Sequence, residues 1–316
     1  MPTHFAEICR ELLALPLTVI DVGADGGVTE LRRLGSLCHV HAFEPRPDSF
    51  ARLVNDTDQS KLFAKINFHN IALAATAGKH RLYITRVPQA SSLRRPNQEI
   101  VRRYTRNNLF DVVGEEDVEC ITLDDFADTN RIDYVDFLKI DTQGTELDIL
   151  LGGRKLLNRI SIISAEVEFV ELYQGQKLFD DVVRELSNFG FRFVDFNEGD
   201  RVGPSVGKRI WANALFVRDA RGLERQSALR CAVIMMDMGY FGEAMWMLRG
   251  LGVDENDIAK MRDAATPEDN AKVSIFGAAF KRLSAYNHAR RDAGKMSING
   301  YRVIELFRKL TFGVLD

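Results

Sequence analysis

Two consecutive apolar segments of the sequence end in charged residues that could move a proton. Lys139 and Asp141 end the segment YVDFLKID (134–141). Glu166 lies near the end of the next segment, ISIISAEVEF (160–169). Alternate residues of a strand share one face, so Lys139 and Asp141 are expected to point the same way. A carboxylate there could take a proton from a hydroxyl. Asp141 is the leading candidate for a catalytic base, with Lys139 and Glu166 beside it.

These charged residues also have structural interpretations. A charge this deep needs a partner, so Lys139 is expected to brace a buried carboxylate. Glu146, in the first turn of the following helix, would stabilise the helix dipole. Glu166 and Glu168 share a strand face and would form an acidic crevice with Asp141, able to orient a hydroxyl, bind a metal or lie near a cationic ligand. No histidine joins them at metal-ligand spacing, so we expect no metal.

A second group of residues has the spacing of a nucleoside-binding site. VIDVGADGG (19–27) runs from a predicted strand into a glycine-rich turn, where the backbone can approach a ligand closely. Glu44 ends the next predicted strand, about 20 residues later, where a carboxylate can hold both ribose hydroxyls. The turn is not GxGxxG, so a dinucleotide fits poorly, and Asp21 suits a cationic ligand. The alternative is an ordinary tight turn between a strand and a helix.

The elements that must position these residues alternate between strands and helices. Such alternation predicts an open, largely parallel α/β sheet with ligands at the carboxyl ends of its strands. The last two predicted strands are joined only by a loop, so one edge should be an antiparallel hairpin. The predicted helices are 47–56, 145–157 and 179–190, the last with a C-terminal glycine. The predicted strands are 17–23, 38–45, 65–74, 79–85, 118–123, 134–141, 160–169, 191–196 and 210–217.

The composition changes after about residue 218, where β-branched segments disappear. The segment 228–252 predicts a helical hairpin that turns near Gly239, and 267–291 and 300–310 predict further amphipathic helices. We therefore expect two domains in the 316 residues, 1–218 with the sheet and 219–316 helical. The methionine-rich hairpin could contact another copy of the chain or a protein partner, although such a stripe is more often local core.

Bulk properties exclude several classes of protein. A formal net charge of −3 gives no sign of nucleic acid binding. No apolar run is long enough to span a membrane, and we expect no signal peptide. The four cysteines form no CxxC pair, which argues against a zinc or redox motif and fits reduced thiols in the cytoplasm.

A basic segment, SSLRRPNQEIVRRYTRNN (91–108), lies in a long insertion after the third predicted strand. It could be a lid that recognises an anionic acceptor, such as a phosphorylated or acidic sugar, or simply a solvated helix face. Its arginines are Arg94, Arg95, Arg102, Arg103 and Arg106.

The chain resembles the FkbM family of S-adenosylmethionine-dependent methyltransferases over roughly residues 17–217. The resemblance implies a class I methyltransferase fold, which is a seven-stranded, doubly wound, Rossmann-like sheet. It also implies S-adenosylmethionine as cofactor and O-methylation of a hydroxyl on a sugar, glycan or natural product. The segments that carry it are VIDVGADGG, HAFEPRPDSF, NIALAATAGKHRLYIT, ASSL, ITLDDF, FLKIDTQGTELDILLGG and EVEFVELYQGQKLFDDVVRELSNFGF.

The resemblance also implies a set of cofactor contacts. The end of the first strand and its turn would line the methionine and ribose, Glu44 would hold the ribose, and the residues after the third strand would lie by the adenine. Family members commonly carry Asn where this chain has Asp25, which adds a negative charge. The implied cofactor residues are Asp21, Gly23, Ala24, Asp25, Gly27, Glu44, Asn70 and Ala72.

Two other functions compete with methyl transfer. A nucleotide-linked oxidoreductase could use a similar sheet, but GxGxxG is missing. A non-catalytic scaffold that binds a protein through its helical C-terminus should show an eroded cofactor site, yet Asp21, Gly23 and Glu44 are all in place. We therefore predict a methyltransferase that acts on a small-molecule or glycan acceptor.

Overall fold

A computed structural model describes residues 3–13, 16–25, 27–104, 108–198, 201–202, 207–219 and 222–266. The predicted helices over 267–291 and 300–310 lie outside the described residues, as do Gly26 and Arg106.

The described strands, in chain order, are β1 (Leu17–Val22), β2 (Cys38–Phe43), β3 (Lys65–His69), β4 (Ala72–Leu73), β5 (Gly78–Thr85), β6 (Val112–Ile121), β7 (Val135–Ile140), β8 (Ile160–Glu168), β9 (Phe191–Glu198), β10 (Arg201–Val202), β11 (Lys208–Arg209) and β12 (Trp211–Arg218). The α-helices are α1 (His4–Arg10), α2 (Pro47–Asn55), α3 (Thr57–Leu62), α4 (Gln98–Tyr104), α5 (Leu123–Asn130), α6 (Glu146–Leu151), α7 (Arg154–Leu157), α8 (Phe179–Asn188), α9 (Arg225–Asp237), α10 (Phe241–Gly250) and α11 (Glu255–Ala265).

Seven strands form the main sheet in the order β3-β2-β1-β7-β8-β12-β9. Neighbouring strands are parallel except at β12, which runs antiparallel to both β8 and β9. The predicted α/β sheet with an antiparallel hairpin is therefore confirmed. The structure adds that the returning strand β12 inserts between β8 and β9, so that β9 forms the edge.

Helices cover both faces of the main sheet, which is why its central strands are almost wholly apolar. One face packs against α1, α9, α10 and α11, and the other against α5, α6, α7 and α8. Neighbouring residues of β7 point to opposite faces of the sheet. Phe137 packs in the hydrophobic core on the side of α1 and α9, and Leu138 packs in the core on the side of α5 and α6. The sheet is thus doubly wound, as expected.

Two predicted elements are interrupted in the structure. The predicted strand 65–74 divides into β3 and β4, because the chain leaves the main sheet after His69 and β4 pairs instead with β6 in a three-stranded sheet, β4-β6-β5. The predicted helix 145–157 divides into α6 and α7 at Gly152. A side chain there would meet the carbonyl of Ala74 at 2.5 Å, so the close approach of that segment requires glycine.

Two predicted glycine-terminated elements are confirmed. Helix α8 is followed by Gly190 with φ +80°, and the hairpin of α9 and α10 turns at Gly239 with φ +86°. The left-handed backbone at both positions favours glycine.

The C-terminal helices pack on the sheet. Contacts group the described residues up to Ala265 into one compact unit, so α9, α10 and α11 belong to the unit that holds the sheet. Met235, Met236 and Met247 are buried in the core that these helices share with the sheet. The domain assigned to 219–316 and its contact with another protein stay predictions. Within the described residues, no helix has the length and apolar character needed to span a membrane.

A buried ion pair joins α9 to the sheet. Arg230 Nη1 lies 3.3 Å from Asp136 Oδ2 on β7, and the same oxygen accepts a hydrogen bond of 2.7 Å from the backbone N–H of Thr18 on β1. Burial raises the pKa of Asp136 to about 6, although Arg230 opposes the shift. The ionised carboxylate of Asp136 is therefore stabilised by Arg230.

Replacing Arg230 with methionine should lower the free energy of unfolding by about 3 kcal/mol, because it leaves a buried carboxylate without its cation. Urea unfolding at pH 8, followed by circular dichroism, measures the change. Arg249→Met is the matched control, since Arg249 pairs with Glu255 at the surface and should leave the midpoint unchanged. Equal midpoints for the two variants would contradict the structural importance of the Arg230 pair.

Candidate active site

A cleft lies at the carboxyl ends of β1, β2 and β7. It encloses about 830 Å³, part of it open to solvent. One wall is formed by the turns after these three strands, and the opposite wall by the segments 71–73 and 88–93 with Leu82. Parallel α/β sheets bind ligands at this end. The predicted site residues that line the cleft are Gly23, Asp25, Glu44, Ala72 and Asp141.

The turn after β1 is held tightly against the end of β7. Gly23 has φ +83°, and a Cβ atom there would lie 2.0 Å from the carbonyl oxygen of Asp141. Gly27 has φ +95°, and its Cβ would lie 2.6 Å from the side-chain amide of Gln59. Gly23 is therefore required by a close approach of the backbone, and Gly27 is favoured by its left-handed conformation. Ala24 is buried in the core beside the turn and does not line the cleft.

Lys139 is the partner of two carboxylates. Its Nζ lies 3.2 Å from Asp21 Oδ1 and 3.8 Å from Asp141 Oδ2, and it donates to the carbonyl of Gly23 at 3.2 Å. Burial disfavours the ammonium, but the two carboxylates outweigh burial and raise the pKa of Lys139. The lysine thus braces β1 against β7, as one of its two sequence interpretations predicted.

Asp21 lies behind the wall of the cleft. It is 1% exposed and does not line the cavity. Burial raises its pKa to about 6, while Lys139 acts in the opposite direction. The contact of Asp21 with a cofactor stays a prediction.

The loop after β2 presents Glu44 to the cleft in a fixed position. Glu44 Oε1 accepts a hydrogen bond of 2.8 Å from the backbone N–H of Arg46, and the backbone N–H of Glu44 donates to the carbonyl of His69. Asn70 supports the same loop, because its Nδ2 donates to the carbonyls of Glu44 and Pro45 at 2.9 and 3.0 Å. Burial raises the pKa of Glu44. Asn70 thus acts on the loop, and its contact with adenine stays a prediction.

Asp25 also lines the cleft, and its charge is balanced. Its Oδ1 lies 3.3 Å from Nη2 of Arg52 on α2. The extra negative charge noted in the sequence therefore has a cation beside it. Because the arginine is largely exposed, the pair contributes little to stability.

Asp141 reaches the cleft, whereas Glu166 lies behind it. The Asp141 side chain is 33% exposed and lines the cavity. Glu166 is 8% exposed, and the amide of Gln143 lies between the two carboxyl groups, donating to Asp141 Oδ1 at 3.0 Å and to Glu166 Oε1 at 2.7 Å. Burial, then the charges of Asp141 and Glu168, raise the pKa of Glu166 well above its usual range.

Glu146 holds the loop between β7 and α6. Its carboxylate accepts hydrogen bonds from the backbone N–H groups of Thr142, at 2.8 Å, and Gly144, at 3.0 Å. Burial raises its pKa to about 7, against these hydrogen bonds. Its role extends beyond the helix dipole, because it orders the loop that carries Gln143. Across the part of the chain that the structure describes, no group of three or more His, Cys, Asp or Glu side chains could hold a metal ion.

Arginines of the basic insertion are paired away from the cleft. Arg94 Nη2 lies 2.7 Å from Asp148 Oδ2, and Arg95 Nη2 lies 2.5 Å from Glu115 Oε1. Neither arginine lines the cavity. The neighbouring segment 88–93, with Pro88, Gln89, Ser91, Ser92 and Leu93, does line it. Residues 88–93, which we call the lid segment, therefore line the cleft, and their side chains are uncharged.

Comparison with known proteins identifies the family. The family model described as the methyltransferase FkbM domain matches residues 21–193, more than half of the chain. The chain belongs to the FkbM methyltransferase family. A curated relative, the 2-O-methyltransferase NoeI of Sinorhizobium fredii (strain NBRC 101917 / NGR234), is 27% identical over 194 residues, covering 55% of this chain and 74% of that protein.

Solved methyltransferase structures share only a distant likeness with this FkbM-family chain. An rRNA methylase from Streptococcus thermophilus has a TM-score of 0.34 at 10% identity, covering 67% of this chain and 93% of that one. The magnesium protoporphyrin IX methyltransferase of Synechocystis PCC 6803, solved with bound SAM, also has a TM-score of 0.34 at 10% identity, covering 68% and 76%. Likenesses at this level do not bear on function.

The FkbM match spans all eleven residues chosen from the sequence, from Asp21 to Glu166. Sequence reasoning did not find Gln143 or Tyr173, whose side chains are hydrogen-bonded to each other at the end of β7. Gln143 follows Asp141 by two residues, which was a usable signal. Tyr173 lies 30 residues away and carried none, because only the folded chain brings it near.

Replacing Gly23 with alanine should destabilise this methyltransferase by about 2 kcal/mol or more, since the new methyl group would overlap the Asp141 carbonyl at a left-handed position. Thermal and urea unfolding measure the loss. Gly242→Ala on α10 is the control, because a Cβ there meets nothing within 4 Å and alanine favours a helix. A Gly23→Ala protein as stable as the control would refute the close approach.

Proposed function

We propose that this methyltransferase transfers a methyl group from S-adenosylmethionine to a hydroxyl group of a small-molecule or glycan acceptor. The observation that carries the proposal is the presence of Glu44 and Asp141 in one cleft, at the carboxyl ends of parallel strands in an FkbM-family chain. The name of the 2-O-methyltransferase relative supports oxygen as the acceptor atom.

The residues of the cleft fit the proposed cofactor. Glu44 can accept hydrogen bonds from ribose hydroxyls. Ile71, Leu73 and Leu82 supply an apolar wall suited to an adenine ring. The carboxylates of Asp25 and Asp141 also line the cleft, and although Arg52 lies beside the first and Lys139 beside the second, they are the negative groups that a positively charged ligand would meet there. Apolar, hydrogen-bonding and anionic groups thus match the three parts of the molecule.

The chemistry that remains for the protein is proton removal and alignment. S-adenosylmethionine supplies an electrophilic methyl group when bound, so the chain must orient the acceptor oxygen and take up its proton. Asp141 is suited to this step because it is partly exposed and its oxygens face Lys139 and the amide of Gln143. The Asp141 carboxylate would take up the proton of the acceptor hydroxyl. Glu166, a buried carboxyl group behind Gln143 whose pKa burial raises, supports Asp141 rather than replacing it.

The proposed acceptor is a neutral hydroxyl compound rather than an anion. The lid segment and the β7 loop present hydroxyl and amide groups to the cleft, and of the described residues only Arg46 adds a basic side chain to its walls. Arg94 and Arg95, two of the five arginines on which the expectation of an anionic acceptor rested, already have carboxylate partners. The polar groups of the cleft that could bind acceptor hydroxyls are Gln89, Ser91, Ser92, Thr142 and Thr145.

Isothermal calorimetry should show one site for S-adenosylmethionine and no binding of NAD. Incubation with the cofactor and a panel of neutral oligosaccharides, each paired with its phosphorylated counterpart, should then add one methyl group to a neutral member, as measured by mass spectrometry. Absence of S-adenosylmethionine binding would reject the proposed function. Methylation of only the phosphorylated members would reject the neutral acceptor and leave methyl transfer standing.

Asp141→Asn should lower kcat by about a hundredfold or more, since a general base typically contributes a factor of this size. The amide keeps the shape of the carboxylate, so the Kd of S-adenosylmethionine should change by less than about threefold. Glu119→Gln is a control at an exposed position on β6, where Glu119 pairs with Lys79, and its kcat should equal that of the wild type. Normal turnover by Asp141→Asn would reject the base role.

A further inference from the structure

The side chain of Gln143 is the centre of a hydrogen-bond network behind the cleft. Its Nε2 donates to Asp141 Oδ1 at 3.0 Å and to Glu166 Oε1 at 2.7 Å. Its Oε1 accepts from the hydroxyl of Tyr173 at 2.9 Å. The two carboxyl groups accept from the NH₂ group, which directs the amide oxygen toward the Tyr173 hydroxyl, whose single hydrogen is shared between this oxygen and the carbonyl of Ala90.

The backbone of the β7 loop aims this amide. Gln143 has φ +61°, a left-handed conformation that is uncommon for a residue with a side chain. The carboxylate of Glu146 maintains it by accepting from the N–H groups of Thr142 and Gly144 on either side. An unfavourable backbone conformation that the surroundings enforce next to a proposed base is a mark of a positioned side chain.

Several charged or titratable groups face Asp141. Lys139 on its own strand is the cation, and Asp21 on β1 shares it. Glu146 on α6 and Glu166 and Glu168 on β8 are carboxyl groups whose pKa values burial raises. Two carboxyl groups in contact would share a proton, as in acid dyads. The Gln143 amide lies between Asp141 and Glu166 and donates to both, which keeps them apart.

Tyr173 connects this amide to the lid segment 88–93. It is fully buried, and its hydroxyl also lies 2.9 Å from the carbonyl of Ala90 within that segment. Its ring packs on the loop of Gln143, since a Cβ at Gly144 would meet Tyr173 at 3.0 Å. One side chain thus contacts both the wall that faces the acceptor and the residue that orients Asp141.

We propose that Gln143 is a positioning residue for methyl transfer, which holds the Asp141 carboxylate toward the cleft and separate from Glu166, and that Tyr173 fixes the Gln143 amide relative to the lid segment. The proposal rests on the proposed function, because it assigns Gln143 to the proton-accepting step. Gln143 contacts neither the acceptor hydroxyl nor the methyl group of the cofactor, and it acts through Asp141.

Gln143→Met tests the first part, because methionine keeps the length of the side chain and removes its hydrogen bonds. We expect kcat to fall at least tenfold with the neutral oligosaccharide that is methylated in the screen, while the acceptor KM and the Kd of S-adenosylmethionine stay within about threefold. An unchanged kcat would overturn the proposal. A fall in kcat accompanied by equal weakening of cofactor binding would overturn it too, since that pattern is expected of a residue that only supports the fold.

Tyr173→Phe tests the second part with a small change. We expect kcat to fall severalfold, and the double variant Gln143→Met, Tyr173→Phe to be no slower than Gln143→Met alone, because the hydroxyl acts through the amide. Additive losses would show that Tyr173 acts independently. Asp141→Asn measured alongside separates the two proposals. If Asp141→Asn is slow and Gln143→Met is normal, only the positioning role is wrong, and if Asp141→Asn is normal, the base assignment is wrong.

Discussion

The buried ammonium of Lys139 organises the cleft. It joins the ends of two adjacent parallel strands, because it contacts Asp21 on β1, Asp141 beyond β7 and the carbonyl of Gly23 in the turn between strand and helix. Any of these carboxylates would be costly to bury alone. Paired with the Lys139 ammonium, the Asp21 carboxylate is buried behind the wall of the cleft and the Asp141 carboxylate lies at its surface. The glycine turn then closes against the same strand end, leaving no space for a side chain at position 23.

The acidic groups around this cation differ in their exposure to the cleft. Asp141 is partly open to the cleft, whereas Glu166 and Glu168 are buried among other carboxyl groups, which raises their pKa values. Burial thus disfavours the ionised form of these interior carboxyl groups. Gln143 lies at the boundary between the two environments and donates to a member of each. The carboxyl groups of this cluster therefore differ in how deeply they are buried.

The parts of the chain outside the parallel sheet shape the cleft and stabilise its frame. The small sheet of β4, β5 and β6 carries the lid segment, and the break after β3 brings Ala72 to the cavity. On the opposite face of the main sheet, α9 is anchored by Arg230 and Asp136. The helices that follow the sheet in sequence thus share its core, which explains why their methionines are buried.

The sequence by itself determined the alternation of strands and helices, the hairpin at the end of the sheet and the clustering of Gly23, Glu44 and Asp141. These follow from local patterns, because apolar period, glycine and strand-end position are properties of neighbouring residues, and parallel strands bring their carboxyl ends to one edge. The resemblance to FkbM methyltransferases added the expected cofactor, and the family match confirms the family.

Tertiary structure alone decided which of these residues reach the cleft. Asp21 and Glu166 were site candidates in the sequence together with Asp141, yet they are buried behind it. Arg94 and Arg95 found carboxylates far away in sequence, Asp148 and Glu115, and left the lid uncharged toward the cavity. The physical reason is common to these cases. Burial and ion pairing depend on contacts between distant segments, and a local sequence pattern does not specify which residue a charged side chain will pair with.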